Sequence, residues 1–513
     1  MPSQRTARPQ AGASWLGPVA ILVAAAVLSP LAFLLAQAKQ VGLAQLRETL
    51  LRGLTVELLG NTLGLTLAVA LGTAVIGLAT AWWLDRLSAR AVALLLPLVV
   101  LPVAVPDFIV SFGWREAIPS LGGFLGAWLV MCLATYPLVT LPAYAALRGM
   151  DRGTLEVARS LGASRLARLW LLLGQLRAAV AGGVLLVGLV VLAEYGAFEI
   201  LGFRTFTTEV FTQFKVGYNA SAACALSLVL VVLGILAVAG DGLAAGRRPP
   251  LATSRRVEPR VHSGGGALLG ILAVVVLGLG VPMGAVAELV LAPPPASMPG
   301  AGLISPLLHS AAYAGSAAIL VTLAAIPVAL LSRSGSGRLG RLLERATLLV
   351  MAVPGVVVAL ALTWASQQLG AGFGYQSPWL LVLAYAVVFF PLGLVSVRAS
   401  AVQGSGSLEE VARSLGASRL GAFRRVTLPM LRPGLLASLS LVFLAALTEL
   451  TATLLLIPTG ASTLSTQFWA FETNAAYGQA APFALAMVLL GAVPTIALSR
   501  YFDRRPSQQG VAP

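Results

Sequence analysis

Long apolar runs alternate with short polar segments along the whole 513-residue chain. Twelve runs approach or exceed the roughly 20 residues that a helix needs to cross a hydrocarbon core of about 30 Å. Six runs precede and six follow a break at 241–265 that is rich in Gly, Pro and Arg. The pattern predicts an all-α polytopic membrane protein with about twelve transmembrane helices. The predicted spans lie near 15–36, 54–84, 91–113, 122–146, 178–198, 219–240, 266–291, 305–332, 345–366, 378–400, 433–457 and 481–500.

The polar segments contain one string of ten residues twice. VARSLGASRL occupies Val157–Leu166 and recurs at Val411–Leu420, 254 positions later, and a glutamate precedes each copy, Glu156 and Glu410. Identity over ten consecutive residues indicates an internal duplication, which decides the architecture before any single residue does.

The duplication predicts two parallel six-helix repeats, because two copies separated by an even number of spans have the same topology. A fainter echo is the likeness of Thr205–Thr208 to Thr463–Thr466, at an offset of 258. The predicted organisation is a first repeat at 1–240 with a loop at 147–177, a cytoplasmic basic linker at 241–265, and a second repeat at 266–513 with a loop at 401–432.

Composition excludes a soluble globular protein. Only 10% of the residues are charged and 58% are hydrophobic, against roughly 25% charged in soluble domains, and the mean hydropathy is +0.90. The formal charge of +15 comes from short clusters between apolar runs rather than from one basic domain, so nucleic acid is not an expected partner. Cys132 and Cys224 both lie in apolar runs and are interpreted as small core residues.

The distribution of Lys and Arg predicts the orientation. With the N-terminus in the cytoplasm and twelve alternating spans, 28 of the 34 Lys and Arg residues fall inside, as the positive-inside rule requires. Both termini and both repeated loops are therefore predicted to be cytoplasmic. The run at Trp15–Leu35 is longer than the apolar part of a secretory signal, so it is interpreted as a retained first span.

The second repeated loop has a spaced pattern, E-x-A-x3-G-x9-V-x-L-P. Its first three positions are Glu410, Ala412 and Gly416, and it ends at Leu428-Pro429. This pattern resembles the EAA signature of permease subunits of ATP-binding-cassette importers, with Val411 in place of the middle alanine. Pro429 lacks an N–H, so it predicts a break in the chain before the next span.

The first loop keeps Glu156, Ala158 and Gly162 but ends in Gly174-Gln175 where Leu-Pro is expected. The resemblance implies that each loop contains a short cytoplasmic helix that docks on an ATPase subunit. A structural alternative exists for the second glutamate: Ser407–Glu410 fits a helix capping box. In the first loop Gly153 replaces the capping serine, yet Glu156 remains, which favours docking.

The resemblance implies a type I ABC importer permease in the inner (plasma) membrane of a bacterial cell, the transport subunit and not an enzyme. Its partners would be two copies of a cytoplasmic ABC ATPase subunit, an extracytoplasmic solute-binding protein and the lipid bilayer. ATP and Mg would be bound by the ATPase, and the chain itself would need no cofactor. In agreement, its two lysines, Lys39 and Lys215, are followed by Gln and Val, whereas a P-loop needs Lys followed by Ser or Thr.

The substrate is less well defined by the sequence. Ala193–Phe214 resembles the ferric iron permeases, which favours ferric iron, with thiamine, aminoethylphosphonate and polyamine-type permeases as related alternatives. A different class of protein, an ion-coupled secondary transporter with parallel repeats, is the second hypothesis, but it would not need a duplicated docking loop. A membrane enzyme is the third, but the sequence has no metal-spaced His or Cys cluster and no nucleophile–base set.

Three ionisable residues are candidates for the translocation path: Glu194, Glu449 and Asp107. Charged groups within membrane segments are costly and usually face a pathway or a partner. Glu194 and Glu449 stand 38 and 39 residues after Glu156 and Glu410. The alternative is that each pairs with backbone or with a hydroxyl such as that of Thr448 at a helix end. No His or Cys spacing predicts a metal site.

Overall fold

The computed structural model describes residues 16–150, 153–244, 265–292, 302–333, 338–368, 374, 376–403 and 406–503. Every regular element in these ranges is helical, which confirms the all-α prediction. The predicted linker at 241–265 lies almost wholly outside the described residues.

The helices up to residue 244 vary from single turns to more than thirty residues. They are α1 (Leu16–Val41), α2 (Leu43–Leu50), α3 (Gly53–Asp85), α4 (Ala89–Val100), α5 (Asp107–Ala117), α6 (Gly123–Thr135), α7 (Pro137–Gly149), α8 (Gly153–Ser160), α9 (Arg165–Ala193), α10 (Gly196–Ile200), α11 (Phe206–Lys215) and α12 (Ala220–Ala244).

The helices from residue 265 onward include two π-helical segments, at Val276–Gly280 and Phe423–Thr427. They are α13 (Gly265–Val275), α14 (Val281–Leu291), α15 (Ile304–Arg333), α16 (Arg338–Leu348), α17 (Gly355–Gln368), α18 (Pro378–Gln403), α19 (Gly406–Ser414), α20 (Arg419–Ala422), α21 (Leu428–Thr448), α22 (Thr451–Leu456), α23 (Leu464–Thr473) and α24 (Tyr477–Asp503).

Within the described residues, nine helices are long and apolar enough to cross a membrane. Three further pairs of helices pass the same test together but are bent at a short break, so the count reaches 12 if each bent pair is one span. The twelve spans predicted from the sequence equal this upper count.

Two of the predicted spans are broken rather than straight. The predicted span 91–113 bends by 96° between α4 and α5, and the span 345–366 bends by 104° between α16 and α17. Pro106 and Pro354 stand at the two breaks, where a residue without an N–H cannot continue the helical hydrogen-bond ladder. The span 122–146 bends by 40°, between α6 and α7 at Pro137.

The spans after the repeated loops begin earlier than predicted. Helix α9 starts at Arg165, so the last part of the predicted loop 147–177 is already helical. In the second half the continuous apolar helix runs over Leu420–Thr448. The predicted break at Pro429 is wrong, since the helix continues through this residue. Pro429 follows the π-turn and is the second residue of α21, where its missing N–H costs little.

Contacts divide the chain into two compact units that differ from the sequence repeats. One comprises Met1–Gln40, Pro299–Ala470 and Leu489–Pro513, and the other comprises Val41–Met298 and Phe471–Val488. In the first unit α15, α18 and α21 pack together, and the hydroxyls of Thr322 and Ser438 bond at 2.8 Å in this bundle. In the second unit α3, α7 and α9 pack together, and α5 packs on α14.

The two threonine-rich motifs make the same contacts, one inside each unit. The Phe206 N–H donates to Thr62 Oγ1 at 3.1 Å, and the Leu464 N–H donates to Ser310 Oγ at 2.8 Å. In both motifs the first threonine N–H donates to the hydroxyl three residues later, at 2.9 Å. The sequence likeness of these motifs therefore reflects the same hydrogen bond between a short helix and a long helix of its own unit, α3 in one unit and α15 in the other.

Candidate functional site

The first copy of the repeated string forms a short helix and its stop. Helix α8 ends before Gly162, whose φ is +79°. The Gly162 N–H donates to the Arg159 C=O at 3.1 Å, and the Ala163 N–H donates to the Ala158 C=O at 2.9 Å. These two bonds and the left-handed glycine constitute a Schellman motif.

The second copy repeats this geometry bond for bond. Helix α19 ends before Gly416, whose φ is +90°. The Gly416 N–H donates to the Arg413 C=O and the Ala417 N–H donates to the Ala412 C=O, both at 3.0 Å. A Cβ at Gly162 or Gly416 would meet no atom within 4 Å. Inside the chain, glycine is therefore required for its backbone conformation and not for close packing.

The serine near the end of each string starts the next helix. The Ala167 N–H donates to Ser164 Oγ at 3.2 Å, and the Gly421 N–H donates to Ser418 Oγ at 3.1 Å. Serine is among the preferred N-cap residues because its hydroxyl accepts such a bond. The ten repeated residues thus encode a helix end, a left-handed turn and a helix start.

Both short helices expose apolar side chains. Val157 and Leu161 are 58% and 80% exposed in the first copy, and Val411 and Leu415 are 52% and 82% exposed in the second. The valine and leucine are four residues apart, so each pair lies on one helix face. Apolar side chains exposed in the same place twice indicate a surface made for a partner.

Beside the second helix this surface continues into an open cavity of about 450 Å³. Its walls include Val411, Ala412 and Leu415 of the loop, and Val426 and Pro429 of the following helix. The surface is almost wholly apolar, with Arg425 at its border. It offers space for apolar side chains of a docked protein.

The predicted docking residues are grouped as expected within each copy. Glu156 is exposed and Ala158 half-buried on α8, one turn before Gly162. Ala412 is half-buried on α19. Glu410 lies in the same helix, but its side chain is outside the described structure, so the capping-box alternative stays open.

Glu194 and Glu449 occupy matching bends between a long and a short helix. The Ala197 N–H donates to Glu194 Oε1 at 2.7 Å, and the Ala452 N–H donates to Glu449 Oε1 at 2.9 Å. Each carboxylate thus accepts a bond from the first turn of the next helix, as an N-cap does. The Thr448 hydroxyl does not join them, since it donates to the carbonyls of its own helix. A place on the translocation path stays a prediction.

Asp107 is the first residue of α5, directly after the 96° bend. The corresponding helix in the second half begins with Gly355, where an added Cβ would lie 2.7 Å from Glu449 Oε1. Glu449 therefore fills the space next to Gly355. A straight helix over the predicted span 91–113 would have placed Asp107 in mid-helix. The bend instead places it at the N-terminus of α5.

One pair of residues was missed by the sequence analysis. The Thr427 hydroxyl donates to Glu409 Oε2 at 3.0 Å and joins α19 to the following helix. The available signal was the change of spacing, from 38 residues to 39, between the loop glutamate and the half-buried glutamate that follows it, which indicates one inserted residue in the second half. Among the described residues, no group of three His, Cys, Asp or Glu could hold a metal ion.

Known proteins with similar sequences agree on the class of molecule. Residues 321–508 match the family model of binding-protein-dependent transport system inner membrane components. The chain is 32% identical over 509 residues to the Fe(3+)-transport system permease protein FbpB 2 of Haemophilus influenzae, covering 95% of this chain and 98% of the relative.

Two further relatives match only part of the chain. The molybdenum transport system permease protein ModB of Mycobacterium tuberculosis is 35% identical over 157 residues, 29% of this chain and 60% of the relative. A putative 2-aminoethylphosphonate transport system permease protein of Salmonella typhimurium is 27% identical over 198 residues, 39% of this chain and 74% of the relative.

Proposed function

Because the chain belongs to the binding-protein-dependent inner membrane components, the permease subunits of ATP-binding-cassette importers, we propose that it carries ferric iron into the cytoplasm. Both halves of the permease are present in one polypeptide. The solute would arrive on an extracytoplasmic binding protein, and two ATPase subunits would dock on the two repeated loops.

The observation that carries this proposal is the identical geometry of the loops. Each presents a short helix, a left-handed glycine and an exposed pair of apolar side chains. Two equal surfaces fit two copies of one partner. A secondary transporter does not need surfaces on which an ATPase can dock. Uptake that depends on the ATPase would therefore distinguish an ATP-driven importer from a secondary transporter.

Ferric iron is favoured as substrate because the similarity to the iron permease extends over nearly the whole of both chains. The molybdenum and 2-aminoethylphosphonate relatives match shorter parts. The test is uptake by cells that express the chain with its ATPase and binding protein. Radiolabelled ferric iron, molybdate and 2-aminoethylphosphonate should be compared, and uptake of either of the last two instead of iron would refute the substrate assignment.

The charge distribution supports a cytoplasmic position for both loops, which thiol labelling can test. Ser160 and Ser414 are exposed, whereas the native Cys132 and Cys224 are each 1% exposed. We expect Ser160→Cys and Ser414→Cys to react in intact cells with membrane-permeant maleimides only. The unsubstituted chain gives the background. Reaction of either cysteine with an impermeant maleimide would overturn the predicted orientation.

The loop glutamates are expected to strengthen ATPase binding. Removing one partner of a hydrogen bond to a charged group costs about 1–3 kcal/mol, so Glu156→Ala and Glu410→Ala should each reduce co-purification of the ATPase. Glu156→Gln is the matched control, since it keeps an acceptor and loses only the charge. Full ATPase binding and uptake in both alanine variants would show that the glutamates have no docking role.

A further inference from the structure

The two short helices of the repeated strings, α8 and α19, are called the docking helices here, and they are joined differently to the spans that follow them. From Glu156 to Glu194 the chain has 38 residues, and from Glu410 to Glu449 it has 39. The geometry of the loops is identical, and both glutamates cap a short helix. The extra residue of the second half must therefore lie between the repeated string, which ends at Leu420, and Glu449.

The structure places this extra residue in the π-turn at Phe423–Thr427. There the Leu428 N–H donates to the Phe423 C=O five residues back, one residue more than in an α-turn. The first half has a continuous α-helix, α9, over the same stretch. A π-turn is the form that one inserted residue takes within an otherwise regular helix, and such turns are frequent at functional sites.

The π-turn carries the residue that holds the second docking helix. Thr427 is 4% exposed and donates its hydroxyl to Glu409 Oε2 at 3.0 Å. Glu409 immediately precedes Glu410 on α19. This bond between a buried hydroxyl and a carboxylate links α19 to the π-turn that leads into α21, and bonds to a charged group are stronger than those between neutral groups.

The equivalent positions of the first half cannot form this bond. With the offset of 254 before the π-turn and 255 from its last residue onward, Glu409 corresponds to Leu155 and Thr427 to Leu172. The same offset matches Leu428-Pro429 to Leu173-Gly174, one position earlier than the sequence pattern suggested. Leu172 packs with Ala81, Leu147 and other apolar residues of the bundle formed by α3, α7 and α9. Neither leucine can donate or accept a side-chain hydrogen bond, so this pair of positions cannot link α8 to α9 as Glu409 and Thr427 link the second docking helix to its span.

We propose that Glu409 and Thr427 are positioning residues that make the second docking helix one rigid unit with its span, while the first docking helix is more compliant. The two ATPase subunits would then be coupled unequally to the membrane spans. Movement would pass to the membrane chiefly through α19 and α21. This inference rests on the proposed function, since it concerns the same docking surfaces.

The first test is hydrogen exchange of the purified full chain. Amides of α19 should exchange more slowly than those of α8. Thr427→Val keeps the shape of the side chain and removes the donor, and it should lower the protection of α19 about tenfold, the loss expected for one hydrogen bond to a charged group. Thr427→Ser keeps the donor and should restore protection. Equal protection of α8 and α19 in the unsubstituted chain would refute the rigid unit.

The second test is transport in proteoliposomes with the ATPase subunits, the binding protein and radiolabelled ferric iron. In Thr427→Val the ATPase should still bind and hydrolyse ATP, but iron transported per ATP should fall severalfold. Glu409→Leu, which copies the first half at a solvent-facing helix and leaves the span bundle intact, should give the same loss. Glu409→Gln keeps a neutral, weaker acceptor and should lose less transport per ATP than Glu409→Leu. Leu172→Met, the control at the equivalent position, should behave as the unsubstituted chain.

The outcomes separate this inference from the proposed function. If the unsubstituted chain binds no ATPase, the proposed function fails and the inference with it. If the ATPase binds and drives uptake, but Thr427→Val and Glu409→Leu transport as much iron per ATP as the unsubstituted chain, the proposed function stands and the positioning role is refuted.

Discussion

Gly416→Arg is expected to abolish uptake and co-purification of the ATPase, while the chain still inserts into the membrane in normal amounts. Gly416 has φ +90°, and a side chain with a Cβ costs about 1–2 kcal/mol in that conformation. The Schellman bonds that end α19 would be lost or strained. The arginine would also place a long cation beside Leu415, in the centre of the proposed docking surface.

Two milder variants separate the backbone effect from the steric one. Asparagine tolerates the left-handed conformation better than alanine does. If the helix stop is what matters, Gly416→Asn should retain more uptake and ATPase binding than Gly416→Ala. If the partner needs the empty space, the larger asparagine should be the worse of the two. The same series at Gly162 should give the same order.

Insertion needs its own measurement in these variants. The amount of chain in the membrane and its elution as a single species in detergent provide it. The environment of Gly416 predicts normal insertion, because an added Cβ meets no atom of the chain within 4 Å. Gly416→Arg with normal uptake would show that this turn does not approach the ATPase.

The repeated loops were predictable because their structure is local. The glycine that ends each short helix and the serine that begins the next are determined within a few residues. Counting apolar runs located the spanning segments, since the length of a membrane helix is set by the bilayer, and the twelve predicted spans equal the upper count for the described residues. The resemblance of the loops to the EAA signature then pointed to the family, which the nearly full-length iron permease relative confirms.

The bends and the π-turn were not predictable from apolar runs. Hydropathy shows that an apolar run is long enough to cross the membrane. It does not distinguish an α-turn, a π-turn and a 96° bend, because the residues that form them have similar composition. Pro106 marked a break that the run concealed, whereas Pro429 suggested one that the helix avoids. Proline excludes an N–H bond at its own position, and neighbouring helices decide whether the chain bends there.

Close helix contacts are a second feature that composition cannot specify. The chain has 53 glycines, and most look alike in sequence. Gly113 of α5 is distinct in the structure, because an added Cβ would lie 2.4 Å from the carbonyl oxygen of Pro282 and 2.7 Å from its Cα. These are backbone atoms of the neighbouring helical segment, which no rotamer change can move aside.

Gly113→Ala is therefore expected to destabilise the protein, although alanine is the better helix former. In membranes, small residues allow helix backbones to approach closely, and the added methyl would force α5 away from α14 at a cost of about 1–3 kcal/mol. Gly284→Ala, on α14 itself, is the matched control: its position is exposed and an added Cβ meets nothing within 4 Å. There the substitution should be neutral or stabilising by about 0.5–1 kcal/mol. The measurement is the thermal midpoint of the detergent-solubilised chain, which should fall for Gly113→Ala and hold or rise for Gly284→Ala. A shift in the same direction for both would contradict the close contact at Gly113.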